Sequence, residues 1–169
     1  MLVSARDLAL HPVPHPSEDF VQASLAASEA RTPNAGSALE SSEMLISELE
    51  RADALLISTP MHNFAIPSVL KAWIDHIVRP GRTFRSTARG KQGLLGNRPV
   101  RIILACGGAL EAGGGHQEDW ASPYLRYLFG VIGLTDLDVL VLENCNRISP
   151  MISPSISELA RQLRELSWT

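Results

Sequence analysis

One stretch constrains this chain more than any other: residues 52–85, ADALLISTPMHNFAIPSVLKAWIDHIVRPGRTFR. An apolar run from Ala54 to Ile57 ends in Ser58 and Thr59 and breaks at Pro60. A short turn follows, Met61-His62-Asn63-Phe64. Pro67, suited to a first helical position, then opens a helical pattern in which Ile66, Leu70, Trp73, Ile74 and Ile77 share one apolar face. A buried parallel strand hands over to a helix in this way, across a turn at the strand's carboxyl end. In open α/β sheets that edge is where ligands sit.

Two more continuous apolar runs, Val100 to Ala105 and Val139 to Leu142, read as further strands. Continuous rather than alternating runs are the mark of a parallel sheet covered on both faces. Helical patterns separate them. Ser37 and Glu40 form a capping-box pair at the head of Leu39, Leu45, Ile46 and Leu49. Ser122-Pro123 opens a helix that turns Leu125, Leu128, Phe129 and Ile132 inward and closes at Gly133. Ser155 and Glu158 cap a last helix, with Ile156, Leu159, Leu163 and Leu166 inward. Residues 2–8 read as a short edge strand, because Arg6 and Asp7 make a poor central one. Residues 11–36, rich in Pro, Ser and Ala, read as a surface connection with a helical turn near Phe20 to Ser28. Residues 81–99 read as a long surface loop. The alternation predicts an α/β fold, a flavodoxin-like or Rossmann-like three-layer sandwich, in one domain spanning residues 1–169.

Composition narrows the function classes. The net charge is −3 and basic residues are scattered, which argues against a nucleic-acid surface or a polybasic membrane patch. No apolar run approaches the roughly 20 residues of a membrane helix. Arg6 and Asp7 stand where a signal peptide would be apolar, so no export is expected. Two cysteines, Cys106 and Cys145, make no disulfide framework, and a reducing, cytoplasmic setting is the default expectation.

Three strand ends fall on one edge of such a sheet: Pro60 to Phe64, Cys106 to Gln117, and Glu143 to Arg147. Gly107 and Gly108 let backbone N–H groups approach a flat ring or an oxygen with no Cβ in the way. Asn63 brings an amide donor and acceptor, and Met61 or Phe64 an apolar wall. Together these suit a planar heteroaromatic ligand held by main-chain hydrogen bonds. Read alone, each is equally an ordinary surface turn. His62 and His116 lie on the same edge as candidates to touch substrate, while His76, inside a helix, reads as structural. No H-x-x-x-H or C-x-x-C spacing points to a metal. Cys106 with His116 raises a cysteine hydrolase, against the plainer reading of a small apolar residue closing a strand. Arg79, Arg82, Arg85 and Arg89 form either a solvated face or an attraction for an anionic cofactor such as a nicotinamide dinucleotide.

The run P-M-H-N-F-x-I-P-x-x-L-K-x-W-I-D, followed by G-R-T-F-R, G-L-L, A-C-G-G and P-Y-L-x-x-x-F-G-x-I-G-L-T-D, resembles FMN-dependent NADH-azoreductases. These belong to the flavodoxin-like NAD(P)H:quinone oxidoreductases, and the resemblance covers about residues 6 to 143. It implies a homodimeric flavoenzyme that takes hydride from NADH or NADPH and reduces quinones or azo compounds in a ping-pong cycle. By the resemblance, Pro60, Met61, His62, Asn63 and Phe64 flank the isoalloxazine ring, and Ala105, Cys106, Gly107 and Gly108 meet its other edge. Phe84 falls near the substrate pocket. Arg6-Asp7-Leu8 is similar to the end of the family's second strand.

This chain departs from the family pattern at His62, where a tyrosine is common, at Cys106, where an arginine is common, and at Ser86, where an aromatic is frequent. The family also opens with a strand, a Ser-rich phosphate-binding loop and a helix. This sequence begins at the second strand, so the expected sandwich is one missing its first βα unit, with the neighbouring strand edge unpaired. Two readings follow from that: an FMN-dependent oxidoreductase, or a dimeric flavodoxin-like binding or regulatory module that has lost FMN.

Overall fold

The computed structural model describes residues 2–26, 35–110, 117–146 and 152–165. The elements run α1 (Glu18–Leu25), α2 (Ala35–Arg51), β1 (Leu55–Pro60), α3 (Ser68–Ile77), β2 (Phe84–Thr87), β3 (Gly90–Gly93), β4 (Val100–Ala105), α4 (Ala121–Ile132), β5 (Leu137–Leu142) and α5 (Ile152–Glu165). β4 lies between β1 and β5 and pairs with both in parallel, with α3 and α4 as the crossovers. All three strands therefore end on one edge, at Pro60, Ala105 and Leu142. This is the flavodoxin-like α/β arrangement that the apolar runs foretell.

Register decides which side chains face the helices. Leu55, Val100 and Leu137 stand in one row and Ile57, Ile102 and Val139 in the next. They join Leu45, Ile46 and Leu49 of α2, Leu70, Trp73, Ile74 and Ile77 of α3, and Leu125, Phe129 and Ile132 of α4 in one core. The apolar faces expected of α3 and α4 are the faces observed. The opposite row holds Leu56, Arg101 and Asp138. Arg101 is buried against Asp136 at 2.8 Å and Asp138 at 3.4 Å. Leu56, by contrast, is 55% exposed. The expectation that all three strands are covered on both faces thus holds for β4, whereas β1 and β5 are edges.

Other expectations need correction. Residues 2–8 form no strand; residues 2–7 lie exposed along the surface, where Arg6 reaches Glu48 of α2, and Leu8 packs half-buried against the core. Arg6 is thus met by a side chain, and Asp7 Oδ1 accepts from the Ala9 and Leu10 N–H groups at 2.8 and 3.0 Å. Ser37 and Glu40 sit inside α2, which is already helical at Ala35, so they are not its cap. Pro67 is the N-cap of α3 and not its first helical residue. Ser155 lies within α5, and Ile156, expected inward, is 51% exposed. Leu166 falls outside the described residues. The N-terminal helical turn is a two-turn helix, α1, capped by Ser17 Oγ, which accepts from the Phe20 N–H.

Residues 81–99 are not simply a loop. They carry the antiparallel hairpin β2–β3, with Phe84 opposite Gly93 and Thr87 opposite Gly90. Polar, Gly-containing strands give little periodic signal, and this pair holds because it packs on the end of α4. A Cβ added at Gly93 would lie 2.2 Å from the Gly133 backbone nitrogen. Gly133 itself closes α4 in the left-handed region, with φ 102°. The contact is backbone against backbone, so nothing flexible can give way.

Gly93→Ala is therefore expected to lower stability by about 1–3 kcal/mol by prying the hairpin from α4. Gly130→Ala, on a helical position where an added Cβ meets nothing within 4 Å, is expected to raise it by about 0.5–1 kcal/mol. Urea unfolding of the two variants beside the parent checks both signs.

Candidate functional site

The carboxyl edge of the sheet gathers four segments. From β1 the chain enters a tight turn in which the His62 N–H donates to the Ala65 carbonyl at 2.8 Å and the Ala65 N–H returns a bond at 3.0 Å. Both central residues, Asn63 (φ 47°) and Phe64 (φ 68°), are left-handed. Asparagine tolerates that region, but phenylalanine does so at a cost. The turn is held at both sides: the Met61 N–H donates to Ala105 O at 2.7 Å, and the Trp120 N–H to Phe64 O at 3.2 Å. His62, Asn63 and Phe64 are exposed, and Met61 is half-buried.

After β4, the Cys106 N–H donates to Leu142 O at 2.9 Å, and Gly107 and Gly108 begin the next turn. After β5, Asn144 (φ 59°) folds the chain back so that its N–H reaches Gly108 O at 3.3 Å and the Cys145 N–H reaches Cys106 O at 2.9 Å. Glu143 Oε1 accepts from the Leu110 N–H at 2.8 Å. The N–H groups of Asn63, Phe64, Gly107 and Gly108 meet no acceptor among the described residues. They flank the ends of two neighbouring strands. Such free donors beside an apolar wall suit a flat ligand that carries acceptor atoms along its rim.

Cys106 is not placed as the nucleophile of a hydrolase. It is 1% exposed, its Sγ donates to Gly108 O at 3.2 Å, and burial together with the charge of Glu143 pushes its thiol up to about 11. A thiol so protonated and so covered is poorly suited to a hydrolase. His116, its proposed partner, lies outside the described residues, as does Arg147. Phe84 is not at this edge: it is packed in the core under the Lys91 ammonium, 4.2 Å from the ring centre. His76 is structural, as expected, with Nε2 2.9 Å from Pro14 O and its ring tilted against Phe20, the centroids 4.5 Å apart. The arginines mostly serve structure: Arg79 and Arg82 pair with Glu43, and Arg82 also with Glu50. No cluster of metal-binding groups exists among the described residues.

Some neighbours at this edge are not singled out by the sequence, although Gln117 and Asn146 fall within the strand ends expected there. Gln117 stands over Gly108, its Nε2 3.0 Å from where a Cβ would be, and Asn146 stands 3.5 Å from the corresponding point of Gly107. Trp120 is exposed beside the Phe64 turn. They reach the site only because loops of three strands converge. The Gly-Gly pair and the Glu143–Arg147 strand end were the only hints of where they would lie.

The parallel sheet and the free donors at its carboxyl edge define a flavodoxin-like α/β protein with a ligand edge. A family profile described as the flavodoxin-like fold matches residues 2–166, and the chain belongs to that family. It is 50% identical over 159 residues to FMN-dependent NADH:quinone oxidoreductase 2 of Cupriavidus pinatubonensis, a match that covers 94% of this chain and 77% of the relative. It is 38% identical over 165 residues to FMN-dependent NADH:quinone oxidoreductase of Herminiimonas arsenicoxydans, covering 98% and 81%. Among solved structures, an azoreductase from Bacillus anthracis str. Sterne superposes with a TM-score of 0.81 at 24% identity, over 95% of this chain and 80% of that one. A second, an FMN-dependent NADH-azoreductase from Bacillus anthracis str. Ames Ancestor in complex with FMN, gives 0.72 at 23% identity, over 90% and 75%. At these identities the structures speak for the fold.

The left-handed Phe64 offers a check on the turn. The residue is 49% exposed, so about half of its burial is lost on removing the side chain. Phe64→Gly, which also relieves the backbone, is expected to stay within about 1 kcal/mol of the parent, and Phe64→Ala to be the less stable of the two by about 1 kcal/mol. Chemical unfolding of both variants tests the assignment.

Proposed function

We propose that this chain is an FMN-dependent oxidoreductase that takes hydride from NADH and reduces quinones, with azo compounds as further acceptors. The observation that carries the reading is the pair of free-donor turns, Asn63–Phe64 and Gly107–Gly108, at adjacent strand ends. The likeness to quinone oxidoreductases of the same family supports it. FMN, when bound, supplies hydride acceptance and two-electron delivery; the protein orients it and shields it from water.

In this reading the residues divide the work. Pro60, Met61, His62, Asn63 and Phe64 form the wall along one side of the ring. Ala105, Cys106, Gly107 and Gly108 present main chain to its other edge, and the two glycines allow that approach. The free N–H groups fit the acceptor atoms of the isoalloxazine rim. None of these residues is a lysine or arginine, so this half of the site holds the ring and leaves the phosphate to other contacts. With no side-chain nucleophile required, one open face serves the nicotinamide and then the acceptor, a ping-pong order. Exposed Phe64 and Trp120 beside that face favour a homodimer that covers them. The setting we expect is the cytoplasm.

The test begins with an absorbance spectrum of the purified chain after incubation with FMN and gel filtration. Retained flavin bands, bleached by NADH without oxygen and restored by a quinone, are the expected result. A chain that stays colourless overturns the reading and leaves a flavodoxin-like binding module. Gly107→Val narrows the approach to the ring edge. It is expected to weaken FMN binding about tenfold or more, equivalent to ~1.4 kcal/mol. Fluorescence titration of FMN reads this directly, and an unaltered affinity removes Gly107 from the ring site.

A further inference from the structure

Cys106 and Cys145, the chain's 2 cysteines, are distant in sequence and meet where β4 and β5 end. Two backbone bonds bring them together: the Cys106 N–H donates to Leu142 O at 2.9 Å, and the Cys145 N–H to Cys106 O at 2.9 Å. The second of these bonds joins the two residues directly and keeps their backbones adjacent, as a disulfide requires, with its Cα atoms roughly 4.4–6.8 Å apart. The side chains converge as well. Both sulfurs point at one oxygen, Leu142 O, Cys106 Sγ from 3.6 Å and Cys145 Sγ from 3.2 Å. Their separation cannot exceed the sum of those two distances. Both thiols are free, Cys145 exposed and Cys106 buried.

We propose that Cys106 and Cys145 form a reversible intrachain disulfide at the ligand edge, made by exchange with a small-molecule disulfide. The exposed Cys145 thiolate attacks one sulfur of the reagent, forming a mixed disulfide and releasing one reagent thiolate. The Cys106 thiolate then attacks Cys145 Sγ, closes the intrachain bond and expels the second. The two protons lost by the protein thiols go to the two released thiolates. The protein gives up two electrons and the small disulfide takes them, so the exchange balances.

The asymmetry of exposure assigns the order, because only Cys145 meets the reagent first. Burial pushes the Cys145 thiol up, and burial with the Glu143 charge pushes Cys106 up further. Thiolate is the reacting form, so the exchange is slow at neutral pH and quickens as pH rises. In a reducing compartment the dithiol is the resting state. Closing the bond would tie the Asn144 turn to the start of the Gly107–Gly108 turn, stiffening the edge where free N–H groups await a ligand. The inference stands apart from the flavin reading, since its test needs no flavin.

The experiment incubates the full folded chain with oxidised glutathione at mildly alkaline pH, followed by intact mass and by alkylation of remaining thiols after denaturation. The expected product is a monomer lighter by two hydrogen atoms, with both alkylatable thiols lost and both restored by a dithiol reductant. Cys106→Ser is expected to stop at a single glutathione adduct on Cys145, and Cys145→Ser to take up none while folded. Three results overturn the proposal. One is a wild-type chain that halts at the glutathione adduct. Another is a covalent dimer through Cys145. The last is a folded chain that keeps both thiols under conditions where the denatured chain closes the bond.

Discussion

A guanidinium buried where three elements meet holds one half of this fold in place. Arg79, 1% exposed, donates through its two terminal nitrogens to Ser42 Oγ at 2.9 Å and Glu43 Oε1 at 2.7 Å, both on α2. Its own N–H donates to Thr83 Oγ1 at 2.9 Å, and that hydroxyl donates to Ile77 O at the end of α3. A buried charge is tolerated only when paired and hydrogen-bonded, and breaking such a pair costs far more than a surface bridge is worth. Burial alone would raise the Glu43 carboxyl. Hydrogen bonds and charge from Arg82 and Arg79 outweigh it and hold the group below its ordinary range. The arginines that looked in the sequence like a lure for an anion are thus largely spent on α2.

That lock has a consequence for the ligand edge. It sets α3 against α2, and α3 follows β1 through residues 61–67, which begin with the Met61–Phe64 turn. With β1 also paired to β4 and the turn bonded to Ala105 and Trp120, the wall is fixed from several sides. A left-handed phenylalanine persists there because its surroundings over-determine it, which is how strain is held at functional sites. Facing it, two glycines with unbonded N–H groups lie under Asn146 and Gln117, and the Asn144 reversal brings the two cysteines together. The edge is preorganised before any ligand arrives.

Much of this was legible from residues alone. The three strand cores, the apolar faces of α3 and α4, the Gly133 stop and the three strand ends on one edge all follow from apolar period and Gly/Pro chemistry. The misses share a cause. The β2–β3 hairpin is polar and glycine-containing, and exists because Gly93 fits against Gly133, a contact with no local signature. Residues 2–8 had strand-like composition, but pairing is a property of neighbours, and Arg6 found Glu48 instead. Ser37 with Glu40 has the spelling of a cap, yet α2 already runs through it.

Periodicity and turn chemistry, acting over a few residues at a time, were sufficient to dictate a parallel α/β sheet and the edge on which a ligand would sit. Tertiary structure alone decided which donors stay free, that Phe84 belongs to the core, that Gln117 and Asn146 stand over the glycines, and that Cys106 lies beside Cys145. The physical reason is range. Local sterics and hydrophobic spacing act between near neighbours in the chain, while convergence of loops from separate strands depends on register, which no single segment encodes.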